Sequence, residues 1–178
     1  PFIMKKLFLL IALVSFCFSA NAQFGASIGY GSGKATVDSQ FGEVTGDSSG
    51  AFAIGLFYDA ELSDSFDLLP SISFGIGEKI EDESNNSLAI GLGLQYYPTG
   101  KDGKFFIQPG IGLGFTLADV DTDLVKSSTF SGSIGLGIDL SDNFALIASY
   151  GTSLSDSSNI DGISIKANSF GASVLYKF

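Results

Sequence analysis

From Phe105 to Phe115 the chain reads FFIQPGIGLGF, and its side chains alternate. Phe105, Ile107, Pro109, Ile111, Leu113 and Phe115 form one set; Phe106, Gln108, Gly110, Gly112 and Gly114 form the other. Period-2 alternation predicts a β-strand with two unlike faces. Applied along the chain, the same pattern predicts eight strands, at about 24–31, 51–62, 66–77, 88–98, 105–117, 130–140, 144–152 and 166–178. Most have the length a tilted strand needs to cross a bilayer core, about 9–11 residues. No stretch after the first 22 residues has a helical period.

The connections alternate in length. SDS (Ser63–Ser65), TGKDGK (Thr99–Lys104) and SDN (Ser141–Asn143) are tight turns; the segments near 32–50, 78–87, 118–129 and 153–165 are longer. Short turns on one side and long loops on the other are the asymmetry of outer-membrane barrels, with the short turns periplasmic.

Strand parity then assigns faces. One face collects Ile54, Leu56, Ile72, Phe74, Ile90, Leu92, Leu94, Ile111, Leu113, Ile134, Leu136 and Ile138; the other is Gly, Ser, Ala and Gln with a few charges. Turned inward, the apolar set would leave a Gly/Ser exterior of weak strand propensity. Turned outward, it supplies the lipid-facing band, and closure pairs every backbone group within the bilayer. Aromatic residues cluster on this face at both strand ends. Tyr30, Phe52, Phe74, Phe115, Phe130, Tyr150 and Phe170 lie towards the long loops; Phe24, Phe66, Tyr96, Phe105, Phe144, Tyr176 and Phe178 lie towards the short turns. Two such girdles are expected at the membrane interfaces. Pro70 and Pro109 recur at one depth of two strands, where a proline predicts a β-bulge.

The opposite face is graded by depth. Towards the short turns it carries a predicted plug of Phe57, Leu69, Tyr97, Phe106 and Leu175. With it comes a predicted polar network of Asp59, Glu61, Gln95, Gln108, Asp139 and Lys177. Towards the long loops it carries Gly29, Gly31, Ala53, Gly55, Gly75, Gly77, Ala89, Gly91, Gly112, Gly114, Ser131, Ser133, Gly151 and Gly171. In an eight-stranded barrel, side chains barely fill the interior. The gradient therefore predicts a cup, closed below and open outward, unless the long first loop folds in.

The start of the chain, MKKLFLLIALVSFCFSANA from Met4, has a basic start, an apolar run and a small-residue Ala20-Asn21-Ala22 pattern. This is the layout of a cleavable secretory signal over residues 1–22, leaving a barrel domain over residues 23–178. The only cysteine, Cys17, lies within it, so the mature domain has no disulfide or thiol chemistry. Nor does the chain hold any histidine, tryptophan or arginine. Without Lys5 and Lys6, seven lysines face 19 acids, a poor balance for nucleic acid or anionic surfaces.

Chemistry has little to work with. A Ser-His-Asp triad is impossible without histidine. Asp59 and Glu61, two apart, are the one candidate acid–base pair; the alternative is a polar network with Lys177. DVDTD (119–123) begins like a calcium loop but lacks the glycine and final acid that follow in one. GIGLG lies in a strand with no helix after it, so it is no phosphate loop. No cofactor and no metal site are expected.

The leader, YYP (Tyr96–Pro98), KFFIQPGIGLGF and the terminal SVLYKF together resemble the small outer-membrane β-barrel proteins of the Bacteroidota, with the architecture of the OmpA transmembrane domain and OmpX. The resemblance implies an all-β fold, an eight-stranded antiparallel up-and-down transmembrane barrel in the outer membrane. Tyr176 and Phe178 resemble the C-terminal signal read by the barrel-assembly machinery. Three functions stay open: a non-enzymatic barrel with an envelope-structural or surface-contact role, a narrow channel or outward-open ligand cup, and a soluble periplasmic lipid carrier with an apolar interior. What the extracellular loops touch is not legible.

Overall fold

The computed structural model describes residues 22–78, 85–117 and 125–178. The predicted leader, the DVDTD stretch and most of the acidic segment after Glu78 lie outside the described residues. The strands are β1 (Ala22–Ser39), β2 (Gly42–Thr45), β3 (Ser49–Ser63), β4 (Phe66–Gly77), β5 (Asn86–Tyr96), β6 (Phe105–Thr116), β7 (Ser128–Asp139), β8 (Phe144–Ser153) and β9 (Ile163–Lys177). All pairings are antiparallel between neighbours, and β1 closes the sheet by pairing with β9 on one side and β3 on the other. Eight strands make a closed barrel; β2 stands outside that count.

The alternation orients the wall. Leu56 and Leu136 are exposed on the outside, while Phe57, Leu69, Tyr97, Phe106, Ala145, Ile147 and Leu175 form one buried cluster within. Side chains that alternate across a pleat can do this only if the sheet closes on its polar and small face. An apolar-lined lipid carrier is therefore corrected: the continuous apolar surface faces out. Neighbouring strands pair their girdle aromatics. Phe66 and Tyr96 stack at 4.9 Å, Phe144 and Tyr176 lie 4.7 Å apart, and Tyr30 and Phe52 lie 4.9 Å apart.

Two expectations about the ladder change. The first strand does not stop near Gly31. It runs on to Ser39, paired with β9 as far as Ser39–Ile163, and turns back through Gly42 into β2. The long first loop thus rises as a ribbon instead of folding into the lumen. Strand parity continues through it. Ala35, Val37, Val44, Ile163 and Ile165 extend the lumen-side face, whereas Lys34, Thr36, Asp38 and Glu43 extend the outer face. This length was missed because Gly, Lys, Asp and Ser between 31 and 39 lack a lipid-facing apolar set; above the membrane none is needed.

The prolines make no bulge. Register passes unshifted through Pro70–Leu92 and Pro109–Ile134. On their other edges the ladders jump from Phe57–Ser71 to Ala60–Leu68 and from Gly93–Gly110 to Tyr96–Ile107. A residue without N–H forfeits rungs on one side only, so a skipped rung substitutes for an inserted residue. The register shift among these pairings lies between Glu61 and Ser63, at the rim beside the β3–β4 turn.

Candidate functional site: the plugged lumen

Below mid-depth the lumen is filled by rings and aliphatic chains. Tyr97 and Phe106 are 1% and 2% exposed, with ring centroids 5.5 Å apart. Phe106 lies over Gly137, its partner on β7, and Phe57 lies over Gly25, its partner on β1. A Cβ on either glycine would fall inside the ring. Large residues on one strand thus occupy the volume that glycine leaves on the next. Leu69, Leu175 and Ile147 close the remaining gaps.

Polar side chains ring this plug in two groups. In one, Gln95 Nε2 donates to Gln108 Oε1 at 3.0 Å, and the Tyr97 hydroxyl donates to Gln95 Oε1 at 3.2 Å while also facing the Asp139 carboxylate. In the other, Lys177 Nζ meets Asp59 Oδ2 at 2.6 Å, both nearly buried. Glu61 does not join them. It sits at the rim, 40% exposed, with Lys101 Nζ at 3.0 Å from its Oε1. The same ammonium lies 2.9 Å from Oδ1 of Asp67, a buried residue. Asp59 and Glu61 are therefore held by different lysines and do not form the acid–base pair that their spacing allows.

Asp67, Lys101, Ala145 and Ile147 were absent from the predicted site. Parity alone places Asp67 beside Leu69 on the inner face and Ile147 between outward Leu146 and Ala148, so that signal was available. Lys101 was not legible. It lies in a turn that winds as a 3-10 segment, Lys101–Gly103, and its side chain folds back under the barrel. Burial alone would lower its pKa, but the hydrogen bonds to Asp67 and Glu61 outweigh that and hold it above the ordinary lysine value.

Above the plug the lumen opens into a chamber of ≈ 190 Å³ between Ser27, Ser71, Gln108, Ser133, Ser149 and Ser173, floored by Phe57, Leu69, Ile147 and Leu175. Inward positions higher still are Gly31, Ala53, Gly75, Ala89, Gly112, Ser131, Gly151 and Gly171, small on all eight barrel strands. Among the described residues no cluster of three or more Asp, Glu, His or Cys side chains is placed to hold a metal ion.

The family description "Outer membrane protein beta-barrel domain" matches residues 8–178. The chain belongs to that family. It is therefore a protein of the bacterial outer membrane, embedded in lipid. Among solved structures, Neisserial surface protein A is similar at TM-score 0.54 and 16% identity, over 86% of this chain and 97% of that one. The Ail protein of Yersinia pestis in a phospholipid bilayer nanodisc gives 0.48 and 18%, over 89% and 100%. OprG from Pseudomonas aeruginosa gives 0.45 and 16%, over 88% and 96%. At 16% identity the likeness to Neisserial surface protein A speaks to fold alone. No curated protein sequence matches the chain.

Proposed function

We propose that this outer-membrane barrel is non-enzymatic and sealed, with an envelope-structural or surface-contact role carried by its extracellular ribbon. The buried Tyr97–Phe106 pair carries the reading: together with Phe57, Leu69 and Leu175 it closes the lumen towards the short-turn, periplasmic side. The absence of histidine from the sequence supports the non-enzymatic part, as does the engagement of Asp59 and Glu61 with separate lysines. Acidic side chains on the ribbon, such as Asp38 and Glu43, favour contact with cationic rather than anionic surfaces. The terminal Tyr176 and Phe178 serve assembly by the barrel machinery.

Conductance tests the seal. Purified, refolded chain in planar bilayers should pass no ions, whereas Phe106→Gly combined with Tyr97→Gly should conduct. A conducting wild type overturns the reading. A second role, as an outward-open cup, is favoured by the chamber above the plug.

A further inference from the structure

We propose that the lumen chamber is a binding site for a small, neutral, polyhydroxylated molecule, a single monosaccharide or linear polyol entering from outside. The inference rests on the sealed barrel above and adds a ligand to it. Its first ground is unused hydrogen-bonding capacity. The side chains of Ser27, Ser71, Ser133, Ser149 and Ser173 line one cavity, and none of these hydroxyls has a protein hydrogen-bond partner among the described residues. Each can donate once and accept twice. Gln108 adds a sixth group. Its carbonyl is tied to Gln95 at 3.0 Å, and its Nε2 lies beside Gly93 on the chamber wall.

The second ground is how the hydroxyls are seated. Ser173 pairs across the ladder with Gly29, Ser27 with Gly55, Ser71 with Gly91, and Ser133 with Gly110. In each pair the serine hydroxyl leans over the bare glycine. Glycine opposite serine keeps the cavity open and leaves the hydroxyls uncovered; alanine opposite serine would crowd them. The arrangement recurs on strands around the barrel, so the groups converge from several sides.

The third ground is selectivity by what is missing. No charged side chain lines the chamber, so an ion would forfeit its hydration without a counter-charge. The floor is apolar, with Phe57 able to carry the C–H face of a sugar ring. A volume of ≈ 190 Å³ corresponds to roughly six waters, which suits one sugar ring and is too small to hold both rings of a disaccharide.

The test uses the full chain refolded in phospholipid nanodiscs, titrated with xylose, glucose and ribitol, with gluconate and sucrose as comparators, and followed by amide chemical shifts. The expected result is a saturable shift at Ser27, Ser71, Ser133, Ser149 and Ser173 with one or more of the neutral monomers. The ribbon at Val44 should not move, and gluconate and sucrose should give no saturation. The Ser71→Ala/Ser173→Ala variant loses two hydroxyls without adding bulk and should bind about tenfold more weakly. Ser149→Phe fills the chamber and should abolish binding. No saturable shift with any neutral monomer, or equal binding by wild type and both variants, overturns the proposal; if Ser149→Phe does not fold, the serine-to-alanine variant decides alone. Ion conductance through wild type would instead overturn the sealed barrel, so the two failures are distinct.

Discussion

Lys177 on the last strand reaches across β1 to Asp59 on β3, its ammonium 2.6 Å from Oδ2. Lys177 pairs with Gly25 on β1 while Asp59 pairs with Gln23, two residues nearer the short turns, so the ion pair spans β1 diagonally, past the Phe57 ring that covers Gly25. Asp59 Oδ1 has no hydrogen-bond partner among the described residues, so this carboxylate depends heavily on one lysine. Lys177→Met should cost about 3–5 kcal/mol, because it leaves a buried charge unmatched. Adding Asp59→Leu should recover most of that loss, since removing both members of a buried pair is often close to neutral. Urea unfolding in lipid vesicles, read by gel mobility, measures both. A Lys177→Met barrel as stable as wild type removes the pair from any structural role.

The seating of Phe106 over Gly137 gives a second prediction. Gly137→Val would force the ring out of the plug, an overpacking that should cost about 1–3 kcal/mol. Gly114→Val is the matched control. Gly114 also faces the lumen, but a Cβ there meets only the Thr129 carbonyl at 3.8 Å. The same unfolding assay should rank Gly137→Val well below Gly114→Val; equal stability would mean that the plug is loosely packed and the seal is not set by this contact.

The two sites differ in how far the sequence revealed them, and the reason is periodicity. In the wall, one residue decides the face of every other. FFIQPGIGLGF therefore located Phe106 and Gln108 inside and Ile111 outside without knowledge of partners. That argument ends where the strand ends. Lys101 sits in a turn whose left-handed Lys104 and positive-φ Gly100 bend the chain back beneath the barrel. No alternation records such a fold-back, so Glu61 was assigned to Lys177's group when its cation is Lys101. Above the membrane the signal fails differently. Both faces of the ribbon meet water at some point, so the contrast that marks a lipid-facing strand disappears between Gly31 and Ser39.

The lipid-facing assignment itself is measurable at Leu92, an outward residue of β5 paired with Pro70 and Ile111. Leu92→Arg should cost about 2–4 kcal/mol, the range for a cation at the bilayer midplane. Gly112→Ala, one strand away and facing the lumen, should cost much less; its Cβ would come no closer than 3.3 Å to Ser131 Oγ. Reversal of that order would place the apolar set inside.

The loop between β8 and β9 carries a pH-dependent tie outside the membrane. Asp156 Oδ1 accepts from the backbone N–H groups of Ser158 at 2.9 Å and Ile165 at 2.8 Å. These two bonds hold its carboxyl below the ordinary aspartate value. A depressed folded pKa stabilises the loop fully above the unfolded value, about 3.9, and that contribution is lost as pH falls through the folded value. Lys126 extends the tie by donating from Nζ to the Asp156 carbonyl at 3.0 Å, which a change in the carboxylate leaves in place. Acidification should therefore release the Ser158 and Ile165 amides selectively. Hydrogen-exchange protection, corrected for intrinsic rates, should be high at both amides near neutrality and fall below the aspartate range, while Ala148 in the barrel wall stays protected. Asp156→Ala should leave both amides unprotected at every pH. Protection at Ser158 and Ile165 that is independent of pH, or that survives Asp156→Ala, would show that the carboxylate does not hold this loop.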